Sequence, residues 1–204
     1  MIAIVDYGVG NLFSIQSSLC AIGCESLVTG RADDIAQADQ IILPGVGAFG
    51  NAMDKLRAGG LDRVLISQAK AGKPLLGLCL GMQLLLDEGL EFGCHAGLGL
   101  IAGRIVPLEG AISPALKIPH IGWNALHFGG KKHPMFRHVQ EGDHVYFVHS
   151  YHAVDCPDVS ATCEYGQEIV AAVAKENVWG CQFHPEKSGS AGLNVLRAFC
   201  EVSI

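Results

Sequence analysis

The stretch that most constrains this chain is Pro74-Leu75-Leu76-Gly77-Leu78-Cys79-Leu80-Gly81-Met82-Gln83-Leu84-Leu85-Leu86, two apolar runs meeting at a cysteine with glycine two positions to either side. A proline opens the first run and glycine punctuates the junction, so the first reads as a buried strand and the second as the start of a helix. Cys79 then occupies a tight strand-to-helix turn, where small neighbours let its side chain stand clear of the sheet. The following helix aims free amide groups and the positive end of its dipole at the turn, which favours thiolate over thiol. A cysteine in an apolar run is otherwise a small core residue. A nucleophile needs a base, and the base must come from elsewhere in the chain.

Gly180-Cys181-Gln182-Phe183-His184-Pro185-Glu186 supplies one. Residues two apart on an extended segment point to the same side, and the proline after His184 holds that histidine in the extended region. His184 and Glu186 can then act in series, one ring nitrogen facing the thiol while the carboxylate fixes the tautomer through the other. Alone, His-Pro-Glu would be a surface turn. With Cys79 it completes a triad.

Gly77-Leu78-Cys79-Leu80-Gly81-Met82-Gln83 together with His184-Pro185-Glu186 resembles the class I glutamine amidotransferases, the triad-type ammonia donors. The resemblance spans nearly the whole chain and implies one such domain over residues 1–204, with a flavodoxin-like α/β fold.

The rest of the chain agrees with that class. The 204 residues are half hydrophobic, enough for a substantial core. A net charge of −6 without a basic tract excludes nucleic-acid binding driven by phosphate contacts. Met1-Ile2-Ala3-Ile4-Val5-Asp6 reaches a carboxylate after a short apolar run with no basic lead, so neither a signal peptide nor a membrane span is expected and the location is read as cytoplasmic. Eight cysteines lack a tight framework and are read as mostly reduced core thiols. Cys20 and Cys24 have no second ligand pair at zinc spacing, and His149 and His152 would face opposite sides of a strand, so neither a metal nor a cofactor is expected.

Strands are expected at Ile2 to Val5, Ser26 to Thr29, Gln40 to Leu43 and the run before Cys79, with helices from Leu12 to Ile22, Asn51 to Arg57 and Leu61 to Ala71. This alternation predicts a mostly parallel central sheet with helices on both faces. Asp6-Tyr7-Gly8-Val9-Gly10-Asn11 lacks the third glycine of a dinucleotide fingerprint. Pro44-Gly45-Val46-Gly47-Ala48-Phe49-Gly50 lacks the lysine of a P-loop and reads better as a source of oxyanion-type amides. From Gly103 onward the pattern becomes short β-like runs: Arg104 to Leu108, Gly122 to His127, His144 to Val148, Tyr151 to Val154, Ile169 to Lys175 and Val178 to Phe183. They predict an antiparallel extension in the C-terminal half, closed by a helix from about Ser190 to Glu201.

Within the amidotransferases, the Asp6–Asn11 and Pro44–Gly47 segments, Lys117-Ile118-Pro119-His120-Ile121-Gly122-Trp123-Asn124 and Tyr146-Phe147-Val148-His149-Ser150-Tyr151 are similar to the glutaminase subunits of imidazole glycerol phosphate synthase. That implies a heterodimer with a (β/α)8-barrel cyclase that takes ammonia released from glutamine. The resemblance implies Cys79, His184 and Glu186 as catalytic residues, with oxyanion donors from Leu80 and from Val46 or Gly47. It further implies glutamine binding at Gly47, Gln83, Glu91, His149, Ser150 and Tyr151, and a partner face carrying Lys117, Pro119, His120, Trp123, Asn124 and Lys187. Cys20, Cys24, Cys94 and Cys181 are outside the family pattern. A free-standing γ-glutamyl hydrolase, another class I amidotransferase subunit and an inactive binding subunit remain as alternatives.

Overall fold

The computed structural model describes residues 1–130 and 132–202. The first half alternates as expected: β1 (Ile2–Val5), α1 (Leu12–Ala21), β2 (Ser26–Thr29), α2 (Ala32–Gln37), β3 (Gln40–Leu43), α3 (Phe49–Ala58), α4 (Leu61–Lys70), β4 (Leu75–Leu78) and α5 (Leu80–Leu84). The second half carries β5 (Glu88–Gly89), β6 (His95–Ala96), β7 (Arg104–Pro107), β8 (His120–Ala125), β9 (His144–His149), β10 (Tyr151–Val154), β11 (Val159–Glu164), β12 (Glu168–Lys175), β13 (Val178–Cys181) and α6 (Gly189–Cys200). Four of these, α2, β5, β6 and β11, are absent from the sequence expectation. The first is a six-residue helix, β5 and β6 have two residues each, and β11 is an edge strand of small and polar residues, so none presents a strong period.

The main sheet has seven strands in the order β11-β12-β13-β4-β3-β1-β2. From β13 to β2 every pairing is parallel, whereas β12 and β11 add antiparallel. Beside it lie a mixed four-stranded sheet, β10-β7-β5-β6, in which only β5 and β7 pair parallel, and the antiparallel β8-β9 pair.

Strands β1, β3, β4 and β13 are buried at every position, which is why they read as unbroken apolar runs rather than alternations. Successive side chains feed opposite faces. Ile4, Ile42 and Leu76 join Ile15 and Leu19 of α1 and Val195 and Phe199 of α6 on one face. Ala3, Val5, Ile41 and Leu75 join Met53, Leu56 and Leu65 on the other. Gln40 is tolerated in this interior because its Nε2 donates to the Phe199 and Val202 carbonyls at 2.9 and 3.0 Å, tying the end of α6 to the sheet.

All eight cysteines are free, and only Cys79, Cys163 and Cys181 are buried. The expectation of core thiols thus holds for a minority, since helix faces and loops leave Cys20 and Cys94 exposed. Among the described residues, no helix is long and apolar enough to cross a membrane.

Candidate active site

The chain leaves β4 at Leu78 and enters α5 at Leu80, so one residue makes the whole turn. Cys79 does this with φ 52° and ψ −108°, a left-handed φ that costs a side-chain-bearing residue about 1–3 kcal/mol. Its N–H donates to the Cys181 carbonyl at 2.8 Å, fastening the turn to β13. The flanking glycines are required by close approach. A Cβ on Gly77 would lie 2.6 Å from the Gly81 carbonyl oxygen, and one on Gly81 would fall on the Leu43 carbonyl oxygen. With these two lacking side chains, α5 can start directly against the ends of β3 and β4.

The neighbouring strand β13 delivers His184. His184 Nδ1 lies 2.9 Å from Glu186 Oε1, with both side chains essentially out of solvent. The His184 backbone is held by its N–H to the Tyr146 carbonyl at 3.0 Å and by a hydrogen bond from Ser188 Oγ to the His184 carbonyl at 2.6 Å. Burial pulls the ring's pKa down, but hydrogen bonds and charge from Cys79 and Glu186 outweigh it and push His184 up to about 9. The imidazole is therefore protonated at neutral pH, beside the sulfur. Glu186 meets the ring through Oε1, while its Oε2 is buried without a hydrogen-bond partner among the described residues.

A cleft of about 360 Å³ opens above the sulfur. It is lined by Cys79 and His184, by Val46, Gly47 and Leu80, and by Gln83, Glu91, His149, Ser150 and Tyr151. The sequence-predicted catalytic, oxyanion and glutamine-binding residues thus gather in one place, with Glu186 behind His184. Gly47 has φ +94°, a backbone conformation that favours glycine, and open space where a Cβ would stand. Glu91 Oε2 accepts from the Phe49 N–H at 2.7 Å, which places its charge at the start of α3 and fixes one end of the glycine loop.

Of the expected partner-facing residues, Pro119 and Lys187 rim the cleft. Trp123 is 52% exposed, standing edge-on to Tyr146 at 6.0 Å, and Lys117 is also exposed. His120 departs from the expectation: it is 1% exposed, stacked between Tyr165 at 4.0 Å and Phe147 at 4.9 Å. Strand alternation gives the direction of a side chain but not whether another layer covers it, and here Tyr165 does.

His120 instead joins a directed chain. His149 Nδ1 donates to the Tyr151 carbonyl at 2.8 Å, so its Nε2 accepts from His120 Nδ1 at 2.9 Å, and His120 Nε2 accepts from Asn124 Nδ2 at 2.8 Å. Burial pushes His149 down to about 3 and His120 down to about 4, keeping both rings neutral. Asn124 is thereby committed to the interior on one side while half-exposed on the other.

Three side chains at the site were not singled out from sequence. Tyr7 donates from its hydroxyl to the Pro44 carbonyl at 2.8 Å, pinning the glycine loop, and burial together with the Cys79 charge raises its pKa. Ser188 braces His184 as described and also accepts the Tyr146 N–H at 2.9 Å. Gln182 lies beneath the sulfur, its Nε2 3.7 Å from Cys79 Sγ. Its position two residues before His184, on the same side of an extended segment, was the available signal.

Comparison with known proteins agrees with this geometry. A family model described as glutamine amidotransferase class-I matches residues 3–202. The imidazole glycerol phosphate synthase subunit HisH of Wolinella succinogenes is 44% identical over 205 residues, covering 99% of this chain and all of the relative. The protein of the same name from Bacillus cytotoxicus is 49% identical over 201 residues, covering 98% and 93%. Among solved structures, a glutamine amidotransferase superposes with a TM-score of 0.76 at 17% identity, covering 98% of this chain and 97% of that one. PurLQS from Thermotoga maritima gives 0.74 at 21%, covering 97% and 96%. At those identities the structures speak to the fold, whereas the sequence relatives place the chain more narrowly. The chain belongs to the class-I glutamine amidotransferases and, within them, to the HisH family.

Proposed function

We propose that this chain is the glutaminase subunit of an imidazole glycerol phosphate synthase, hydrolysing glutamine and passing ammonia to a separate cyclase of (β/α)8-barrel fold. The reading rests on one observation: Cys79 and His184 meet in a cleft with room for glutamine at the carboxyl ends of adjacent parallel strands, with Glu186 against the far side of the imidazole.

The Cys79 thiolate attacks the side-chain amide carbon, and the electron pair displaced onto oxygen is met by the Leu80 amide and one from Val46 or Gly47, a donor of this kind being worth about 3 kcal/mol. His184 gives its proton to the nitrogen as the C–N bond breaks, releasing ammonia and leaving a glutamyl thioester. Water then loses a proton to His184 and attacks the thioester carbon. Glutamate leaves, the thiolate returns and His184 is again protonated, oriented throughout by Glu186. Glu91 and Gln83, with the backbone around Ser150 and Tyr151, hold the α-ammonium and α-carboxylate of glutamine. Pro119, Trp123, Asn124, Lys117 and Lys187 form the face that meets the cyclase beside the cleft, with Trp123 as its aromatic anchor.

Glutaminase activity measured with and without a cyclase and its nucleotide ligand tests the assignment. The cyclase is expected to stimulate the activity, and absence of stimulation would leave a free-standing hydrolase. Cys79→Ala should abolish glutaminase while sparing synthesis driven by added ammonia.

A further inference from the structure

The mechanism above leaves one polar side chain in the interior of the site without a task. Gln182 is fully buried, and its N–H donates to the Ala171 carbonyl at 2.8 Å. Its side chain bridges two residues of the cleft: Oε1 lies 2.9 Å from Gln83 Nε2, and Nε2 lies 3.7 Å from Cys79 Sγ.

The direction of this bridge follows from an acceptor outside it. A main-chain carbonyl can only accept, and the Tyr151 carbonyl is approached by the Gln83 amide at 3.4 Å as well as by His149. The Gln83 atom at that position must therefore be its NH2, whose second hydrogen points to Gln182. The facing atom of Gln182 must then be its oxygen. That leaves the Gln182 NH2 against the sulfur, a polarity fixed without appeal to the cysteine.

We propose that Gln182 is a second donor to the Cys79 sulfur and that it locks Gln83 with its Oε1 directed to the cleft as an acceptor for the substrate's N–H groups. This rests on the reading of Cys79 as nucleophile. A charged acceptor strengthens such a bond. The donor therefore favours the thiolate before attack, and again when the thioester breaks and sulfur leaves with its electron pair. The locked Gln83 presents only an acceptor, so the cleft selects for a ligand with ammonium or amide hydrogens at that point.

Gln182→Leu and Gln182→Glu, made in the full-length chain, test this. The first removes the donor and the second sets another acceptor against sulfur. Alkylation of Cys79 by iodoacetamide at neutral pH should slow about 10-fold or more in both, with its pH profile moved upward, and KM for glutamine should rise alongside the fall in kcat. Folded variants that alkylate at the original rate overturn the proposal. If neither variant folds, the Gln182 side-chain amide resonances of the unaltered chain decide the matter. They should shift when Cys79 is alkylated, and unchanged resonances overturn the proposal. Glutaminase activity surviving in Cys79→Ala would instead sink the underlying nucleophile reading, a result distinct from either outcome at Gln182.

Discussion

Gly81→Ala probes the perch on which the sulfur stands. The new methyl carbon would fall on the Leu43 carbonyl oxygen, 2.9 Å from the Leu43 carbonyl carbon and 3.3 Å from that of Pro44. All three atoms are backbone, at the end of a fully buried strand, so no side chain can rotate away. The start of α5 must move instead, by on the order of 1 Å, and a displacement of that size at a reacting group costs about 100-fold in rate. Overpacking of a buried site adds about 1–3 kcal/mol of instability, which for a chain of this length lowers Tm by about 2–12 °C. Gly72→Ala supplies a control that destabilises by a different route: it forces a side chain onto a left-handed φ, +92°, but meets nothing within 4 Å and lies at the other end of the sheet, after α4. Thermal melts and glutaminase kinetics on both variants separate the effects. The control should lose stability alone, whereas Gly81→Ala should lose stability, kcat and the alkylation rate of Cys79. A Gly81→Ala enzyme with unaltered kcat would refute the claim that contact between α5 and β3 positions the sulfur.

Two further outcomes follow from the ionisation of the buried histidines. His184 carries its proton up to about pH 9 because of Cys79 and Glu186, so glutaminase turnover should fall as pH rises through that value and the donor to ammonia is lost. In Cys79→Ala, histidine NMR should find the ring titrating well below 9, and an unmoved midpoint would contradict the assigned cause. His120 and His149 are held neutral, with pKa values depressed to about 4 and 3. The unfolded chain takes up protons on these residues from about pH 6.5 downward while the folded chain does not, so stability should fall between pH 6.5 and 4, by on the order of 3 kcal/mol for His120 alone. Urea unfolding across that range should show a shallower pH slope in His120→Phe, which keeps the aromatic stack and removes the titration.

What the sequence discloses here depends on whether one segment contains the cause. The buried parallel strands are legible because helices cover both faces and their positions, Gln40 apart, are apolar, and Cys79 is legible because its glycines are local. The two-residue strands β5 and β6 have no period to detect. The interior position of His120 is set by Tyr165, which stacks on it from far along the chain. Gln182 similarly looks like any polar residue near a strand end until Gln83 and Tyr151 fix which way its amide points.

The site's assembly is therefore a property of strand order. Three parallel strands lie side by side as β3-β4-β13, with Leu43 level with Gly77 and Leu78 level with Cys181. Parallel strands end on the same edge, so the glycine loop, the sulfur and the imidazole emerge together, with sulfur in the middle. An acyl-transfer centre needs this order, since the nucleophile must be reached by a proton donor on one side and by amide donors for the developing oxyanion on the other. Side chains alternate with a period of two, so slipping β13 by one residue against β4 would turn His184 to the opposite face of its strand. The Cys79 N–H to Cys181 carbonyl bond opposes that slip at the Cys79 turn itself. The backbone that sets the sheet's register thus also sets how sulfur and imidazole stand to one another.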